Sequence, residues 1–313
     1  MRIAFHTPQL DVRGTCVSLY DYAHYSETLN GHRSVIVVPA SAVNDPMAVV
    51  RFARRFEILT YTGSADLERV LADCGLFYCI KYGKRDEVVS LTTKTVVHCV
   101  FDLSEPHGDV YAAVSETLAC KFGHDLFVPH MIGLRPSKTG ESMREYLQIP
   151  GGAVVFGRHG GEDTFDLDFA KRAIVRVVRD CPMIYFLFVN TPRFCEHPRV
   201  LHLGKIVDLD EKNRFICTCD AMIHAQSLGE TFGISCGEFS VNNRPIITYG
   251  GKVWNDNYKN ILRDAALYFH DEEECYRLLR DFDPVEYRDR DNNCYREYTP
   301  EKVMRQFERV FVQ

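Results

Sequence analysis

The sequence has no long hydrophobic run and no basic tract. No stretch approaches the roughly 18 apolar residues that a membrane-spanning helix needs, and residues 1–6 resemble a short strand rather than the start of a secretion signal. The densest positive cluster is Arg51, Arg54 and Arg55, which is too small to neutralise a nucleic-acid backbone. These absences argue against membrane-spanning and nucleic-acid-binding proteins and predict a soluble, cytoplasmic one.

The sequence also lacks a dinucleotide-binding motif and a zinc-binding motif. No Gly-x-Gly-x-x-Gly follows the first strand, which disfavours a dinucleotide-dependent dehydrogenase. Cys217-Thr218-Cys219 has no second cysteine pair at zinc-site spacing, so the 12 cysteines are expected to be reduced thiols, most of them buried. Asp166 and Asp168 have the Asp-x-Asp spacing that can hold a divalent ion, but they lie where a helix should be capped. We therefore predict no cofactor and no essential metal.

The chain does contain enough material for two domains. Its 313 residues are 46% hydrophobic and 26% charged, with a net charge of -6, as in soluble globular proteins. Short apolar runs alternate with helical patterns twice, before and after a segment rich in proline and glycine at 129–152. This predicts an α/β fold of two doubly wound, Rossmann-like parallel sheets facing a cleft. The expected domains are 1–133 and 134–313, with a last helix near 299–313 that can pack back on the first domain.

Glu230 and Glu238 flank the expected start of a helix at 232–241. The eight-residue offset leaves the two carboxylates about 80° apart around the helix axis, so both can face one ligand. The exposed amides at the helix start would bind phosphate or sugar oxygens, and Glu238 would accept hydrogen bonds from a ribose diol. The alternative is structural, because a glutamate near a helix N-terminus is stabilising by itself and Glu238 could be solvated.

This segment resembles a motif of a known family. Residues 229–238, Gly-Glu-Thr-Phe-Gly-Ile-Ser-Cys-Gly-Glu, are similar to the E-x7-E motif of family-4-like retaining glycosyltransferases with the GT-B fold. Residues 154–158, 203–204, 219–223 and 243–247 also resemble segments of the donor-binding domain of that family. The resemblance covers most of the C-terminal half, whereas the N-terminal half is similar only in short pieces around His98 and Ser115.

The resemblance implies that 1–133 is the acceptor-side domain and that 134–313 is the nucleotide-sugar donor domain. It also implies roles for individual residues. Glu230 would contact the transferred sugar, Arg158 would neutralise the leaving diphosphate, and His98 would face the sugar from the first domain. A histidine at the end of a buried strand is, however, more often a core residue. The donor-binding residues implied are Gly14, Thr15, Gly157, Arg158, Gly204, Lys205, Ile206, Thr231, Phe232, Gly233, Ile234 and Glu238.

Asp163 departs from the family pattern. The family usually has a lysine there that shares the phosphate charge. His159, Lys171, Lys205 or the amides of Gly160 and Gly161 are the possible replacements. The position of an acceptor-activating base also stays open, and His6, Asp102 and His107 are the candidates.

The function that these features predict is transfer of a sugar from a nucleotide-diphosphate sugar to a glycan or other hydroxyl acceptor, with retention implied by the family. Two alternatives remain. One is a sugar-nucleotide epimerase-like enzyme on the same fold, and the other is a non-catalytic nucleotide or carbohydrate binder. The sequence does not identify the base, the sugar, the acceptor or the oligomeric state.

Overall fold

A computed structural model describes all residues from Met1 to Gln313. The chain divides into two compact units, Met1–Gly133 with Glu297–Gln313, and Leu134–Arg296. The C-terminal helical segment, which begins at Pro300, therefore belongs to the first unit. None of the helices is both long enough and apolar enough to cross a lipid bilayer.

The first unit contains a six-stranded parallel sheet in the order β3-β2-β1-β4-β5-β6. Its core includes Tyr22, Tyr78, Phe307 and Phe311, so the last helix of the chain closes one face of this sheet. The bounds are β1 Arg2–His6, α1 Gly14–Thr28, β2 Arg33–Pro39, α2 Pro46–Ala53, β3 Glu57–Tyr61, α3 Ser64–Leu71, β4 Leu76–Lys81, β5 Thr95–Cys99, β6 Val110–Ala113, α4 Glu116–Lys121 and, after the second unit, α11 Pro300–Phe307, which continues as one π-helical turn, Glu308–Val312.

The second unit repeats the same winding, in the order β12-β11-β10-β7-β8-β9. Its apolar strands are buried on both faces, as expected of a parallel sheet between helices. The bounds are β7 Val154–Arg158, α5 Asp168–Asp180, β8 Ile184–Val189, β9 Val200–Leu203, α6 Leu209–Thr218, β10 Ala221–His224, α7 Ile234–Val241, β11 Ile246–Tyr249, α8 Asn257–Leu262 with a short 3-10 turn Arg263–Ala265, β12 Leu267–Phe269, α9 Glu272–Arg280 and α10 Pro284–Arg288.

The sequence explains where several helices begin. Asp45, Ser115, Asp208, Asp271 and Thr299 each accept a backbone hydrogen bond at a helix N-terminus, which satisfies amides that the helix leaves unpaired. Five helices, α1, α3, α5, α7 and α8, have no such side-chain cap. The amides that begin these five helices therefore have no capping side chain to which they can donate a hydrogen bond.

The order of strands in the second sheet marks a place for a ligand. The chain runs outward from β7 through β8 to β9, then returns to β10 beside β7 and runs outward the other way through β11 to β12. In doubly wound sheets a crevice opens where the winding reverses, at the carboxyl ends of the strands. In this unit that place is flanked by Arg158 at the end of β7 and His224 at the end of β10.

Candidate functional site

Helix α7 follows β10, one of the two strands at which the winding of the second sheet reverses. Gly233 takes a left-handed conformation with φ +81°, and the first helical hydrogen bond runs from the Gly237 amide to the Gly233 carbonyl at 2.9 Å. The amides of Ile234, Ser235 and Cys236 precede that bond and have no side-chain cap. Such amides, at the positive end of the helix dipole, favour an anion.

The helix therefore begins two residues later than the sequence predicts. A residue with a positive φ cannot lie inside a right-handed helix, so Gly233 precedes α7. The predicted helix start at Phe232 is therefore wrong. Phe232 is buried and its carbonyl accepts a hydrogen bond from the Tyr295 hydroxyl at 2.8 Å, while Thr231 is also buried. The uncapped amides at the start of α7 are therefore those of Ile234, Ser235 and Cys236. Of these three, only Ile234 is among the predicted donor-binding residues.

Glu230 lies in the loop before α7 and keeps 28% of its side chain exposed. One carboxylate oxygen, Oε1, is 3.7 Å from His224 Nε2. The other ring nitrogen of His224 is 2.8 Å from Thr248 Oγ1, and the His224 ring packs edge-on against Tyr258 at 5.2 Å. The Glu230 carboxylate is therefore accessible, and it lies beside a histidine that Thr248 of β11 and Tyr258 of α8 hold in place.

Glycine is required where the loop of Glu230 meets the loop after β11. A Cβ on Gly229, which has φ +68°, would lie 2.0 Å from the Asn255 carbonyl oxygen. The Asn255 amide donates to the Leu228 carbonyl at 2.9 Å, and the Tyr258 amide donates to the Glu230 carbonyl at 3.4 Å. These contacts fix the backbone on both sides of Glu230.

Glu238 is not the open carboxylate that the sequence predicts. Only 4% of its side chain is exposed, Oε1 is 2.8 Å from Lys212 Nζ, and Oε2 is 3.1 Å from His159 Nε2. The second contact is close but is not aligned as a hydrogen bond. We call His159, Lys212 and Glu238 the buried charge cluster.

Lys212 supplies the positive charge of this cluster. Burial lowers the pKa of His159, although Glu238 opposes that shift, so the imidazole is neutral at pH 7. Burial by itself would raise the pKa of Glu238, but Lys212 and His159 lower it to about 2. The neutral imidazole stacks on Phe239 at 5.6 Å, and His159 is thus not the missing phosphate-binding cation.

Arg158 is buried as well and its guanidinium bonds to the chain itself. It donates to the Gly161 carbonyl at 2.6 Å, to the Asn190 carbonyl at 3.2 Å and to the hydroxyls of Thr164 and Thr191. Burial lowers its pKa to about 10, against the opposing effect of Glu230, so it remains charged at pH 7. These hydrogen bonds hold the loops after β7 and β8; that Arg158 neutralises a leaving diphosphate stays a prediction.

The other predicted donor residues of this unit lie in two kinds of environment. Gly157 is buried inside β7, where a Cβ would lie 2.2 Å from Cys219 Sγ, so it is required for packing against that cysteine. Gly204 and Lys205 are exposed and Ile206 is half-buried in the loop between β9 and α6. Lys171 pairs with Asp168 at 3.0 Å, and Asp163 is exposed.

The prediction that His98 faces a bound sugar is wrong. In the first unit its ring is fully buried, Nε2 donates to the Val128 carbonyl at 2.8 Å, and Nδ1 therefore accepts from the Tyr78 hydroxyl at 2.6 Å. Phe311 packs edge-on against it at 5.1 Å. Burial lowers its pKa to about 4. His98 is a core histidine with both nitrogens occupied, the alternative that its position on a buried strand allowed.

The other predicted site residues of the first unit are His6, Asp102, His107, Gly14 and Thr15. His6 is buried and bonded to the Tyr61 hydroxyl at 2.9 Å, and burial lowers its pKa to about 3. Asp102 accepts two hydrogen bonds from Ser104, which lower its pKa. His107 is buried, and burial lowers its pKa. Gly14 and Thr15 form the first turn of α1; their donor role stays a prediction.

Sequence reasoning missed Lys212, His224 and Trp254. His224 could have been found, because it ends a strand that the sequence predicts and such ends line the ligand crevice. Nothing in the sequence indicated that Lys212 is buried, since a lysine in the first turn of a surface helix is usually solvated. Trp254 is the one tryptophan of the chain, and nothing in its neighbouring residues indicated that 60% of it would be exposed.

Comparison with known proteins supports the fold. No protein-family model matches the sequence, and no curated protein matches it. Among solved structures, HepE from Anabaena in complex with UDP-glucose has a TM-score of 0.69 at 12% identity, covering 99% of this chain and 95% of HepE. WaaG, a glycosyltransferase involved in lipopolysaccharide biosynthesis, has a TM-score of 0.65 at 10% identity, covering 98% and 99%.

A third structure agrees with these two. AviGT4, a glycosyltransferase involved in avilamycin A biosynthesis, has a TM-score of 0.63 at 11% identity, covering 100% of this chain and 98% of AviGT4. Likeness at such identities shows the fold, and the two six-stranded parallel sheets show the same doubly wound architecture. The chain therefore has the GT-B fold of these glycosyltransferases.

Proposed function

We propose that this protein is a nucleotide-sugar-dependent glycosyltransferase whose donor binds at the carboxyl edge of the second sheet, between β7 and β10. One observation carries the proposal: the uncapped start of α7 and the accessible carboxylate of Glu230 lie together where the winding of the sheet reverses. The solved structures of the same fold that contain UDP-glucose support it. Membership of the family-4-like, retaining group is part of the proposal.

The diphosphate of the donor is assigned to the start of α7. The amides of Ile234, Ser235 and Cys236 can donate to phosphate oxygens, and the helix dipole favours their negative charge. Arg158 contributes a buried positive charge that acts through space, since its own hydrogen bonds go to the loops. Fixed donors of this kind stabilise charge that grows on a leaving group, so no metal ion or other cofactor is required in this proposal.

The transferred sugar is assigned to Glu230. A carboxylate with 28% exposure can accept hydrogen bonds from sugar hydroxyls and can stabilise the positive charge that develops on the ring during transfer. His224 limits the positions that this carboxylate can take. We propose that the C1–O bond to the diphosphate breaks while the acceptor oxygen bonds to C1 on the same face, and that the leaving diphosphate takes the acceptor proton. Attack on the face that the diphosphate leaves would give retention.

The nucleoside is assigned to the loop between β9 and α6 and to the buried charge cluster. Gly204, Lys205 and Ile206 would contact the base. The ribose would lie against the cluster as a whole, because Glu238 is held by Lys212 and His159 rather than presented alone. Glu238→Ala is then expected to weaken binding of the nucleotide diphosphate.

A binding screen followed by a turnover assay tests the proposal. UDP, GDP, dTDP and ADP are compared for thermal stabilisation, where a ligand at 100 times its Kd adds about 2.7 kcal/mol. The sugar nucleotide of the best base is then incubated alone and with glycan acceptors. Release of the nucleotide diphosphate with formation of a glycoside supports transfer. Conversion of the sugar nucleotide into an isomer would indicate an epimerase, and binding without turnover would indicate a binder.

A further inference from the structure

An exposed apolar pair lies next to Glu230 and has no part in the assignments above. Leu228 is 62% exposed and Trp254 is 60% exposed. They lie on two different loops, one before α7 and one after β11, which the Asn255 amide joins by its 2.9 Å bond to the Leu228 carbonyl. We call Leu228 and Trp254 the apolar platform.

The platform is held by a backbone that packs closely. Val253 Cγ2 would lie 2.6 Å from a Cβ on Gly229, so the residue before Trp254 touches the residue after Leu228. Lys259 donates to the Gly251 carbonyl and lies over the rings of Tyr249 and Tyr258. The loop that carries Trp254 is therefore fixed at both of its ends.

We infer that the apolar platform binds a pyranose ring of a glycan acceptor, next to the sugar that Glu230 holds. Exposed large apolar side chains that cluster mark binding surfaces, and an indole face matches the apolar C–H face of one sugar ring in size. Lys252 and Asp256 are exposed within the same loop and can bond to the hydroxyl edge of that ring. The inference rests on the proposed function and narrows its acceptor class to a carbohydrate.

The position of the platform fits an acceptor better than a donor. Leu228 is only two residues from Glu230, and Tyr258, which follows the Trp254 loop, donates its amide to the Glu230 carbonyl at 3.4 Å. A ring on the platform would thus lie beside the transferred sugar. The donor is held at the start of α7 in the proposed function, so it does not require this surface.

The experiment uses the whole chain and compares Trp254→Ala with Tyr146→Ala. Tyr146 is an aromatic residue of the same unit that is 84% exposed, which makes it a matched control. Hydrolysis of UDP-, GDP-, dTDP- and ADP-glucose in water is measured first for each variant. The sugar nucleotide that the wild type hydrolyses fastest is then used for transfer to maltotetraose, to an N-acetylglucosamine oligomer and to octyl glucoside. We expect Trp254→Ala to raise the KM for the oligosaccharide acceptors at least tenfold and to leave the hydrolysis rate unchanged.

The single tryptophan also provides a direct readout. Addition of the oligosaccharide should change the tryptophan fluorescence of the wild-type protein, while Trp254→Phe should retain most of the transfer activity because an aromatic face remains. Unchanged acceptor KM in Trp254→Ala, or no fluorescence change with any oligosaccharide, would overturn the inference. Activity that depends only on the alkyl chain, or a loss of hydrolysis in Trp254→Ala, would also overturn it. Failure of the wild-type protein to bind or hydrolyse any of the sugar nucleotides would instead count against the proposed function.

Discussion

Lys212 and Glu238 form an ion pair inside the second unit, with Nζ 2.8 Å from Oε1 and side chains that are 10% and 4% exposed. Lys212 lies in the first turn of α6 and Glu238 in α7. The pair therefore joins the two helices that precede and follow β10. Because each charge depends on the other for compensation in a place with little water, both residues are expected to be needed for the fold of this unit.

Lys212→Met is expected to lower the free energy of unfolding by about 3 to 5 kcal/mol, because it leaves the Glu238 carboxylate buried without its cation. Urea denaturation measures this. Lys171→Met is the matched control, since the Lys171–Asp168 pair is exposed and should contribute no more than about 1 kcal/mol. The double variant Lys212→Met with Glu238→Leu should recover much of the loss. If Lys212→Met is as stable as the wild type, the pair does not have this role.

Acid should remove the contribution of Glu238 to stability. Its pKa is lowered from 4.5 to about 2 in the folded protein, so the unfolded chain takes up the proton first as the pH falls. The contribution is complete above about pH 4.5 and is lost progressively down to about pH 2. The difference in unfolding free energy between the wild type and Glu238→Gln should therefore shrink over this range. A difference that is constant from pH 6 to pH 2.5 would contradict the assignment.

Glu230→Gln is expected to reduce kcat for sugar transfer roughly 100-fold or more, since a neutral amide cannot stabilise positive charge on the sugar ring. The fold should be unaffected, because Glu230 is partly exposed and its contact with His224 Nε2 is long, at 3.7 Å. Steady-state kinetics and thermal unfolding measure the two effects. Glu162→Gln, an exposed carboxylate in the loop after β7, is the control. Wild-type kcat in Glu230→Gln would remove Glu230 from the site.

Gly233→Ala should disturb both stability and nucleotide binding. Alanine is strained at φ +81°, and its Cβ would lie 3.0 Å from the Tyr295 hydroxyl and 3.1 Å from Tyr258 Cβ. Gly140→Ala has a similar φ of +66° but meets nothing within 4 Å, so it isolates the backbone strain of about 1 to 2 kcal/mol. We expect Gly233→Ala to lose more stability than Gly140→Ala. If the proposed site is right, it should also weaken binding of the nucleotide diphosphate that stabilises the wild type most, measured calorimetrically. Equal losses would show that the contacts at the start of α7 are not tight.

The sequence predicts the strands of both sheets except β12, because a short apolar run is typical of a buried parallel strand. β12 has only three residues, two of them half-buried, at the edge of the second sheet. The sequence also locates the segment around Glu230, since Gly229 and Gly233 permit a positive φ and Pro245 prevents the following helix from continuing. The start of α7 is predicted two residues too early. A positive φ at Gly233 depends on its packing against Tyr258 and Tyr295, which are distant in the sequence.

Whether an individual ionisable side chain is buried or accessible, and which group it pairs with, follows from the tertiary structure alone. The sequence directs Arg158 and Glu238 toward the ligand and leaves a core position open for His98, whereas all three are buried and bonded to residues far away in the chain. What the sequence by itself determined is the alternation of strands and helices and the place of the motif, because these depend on local patterns of apolar residues, glycine and proline. Only the tertiary structure decided which charges stay accessible, since burial and pairing are set by contacts between segments that the sequence separates.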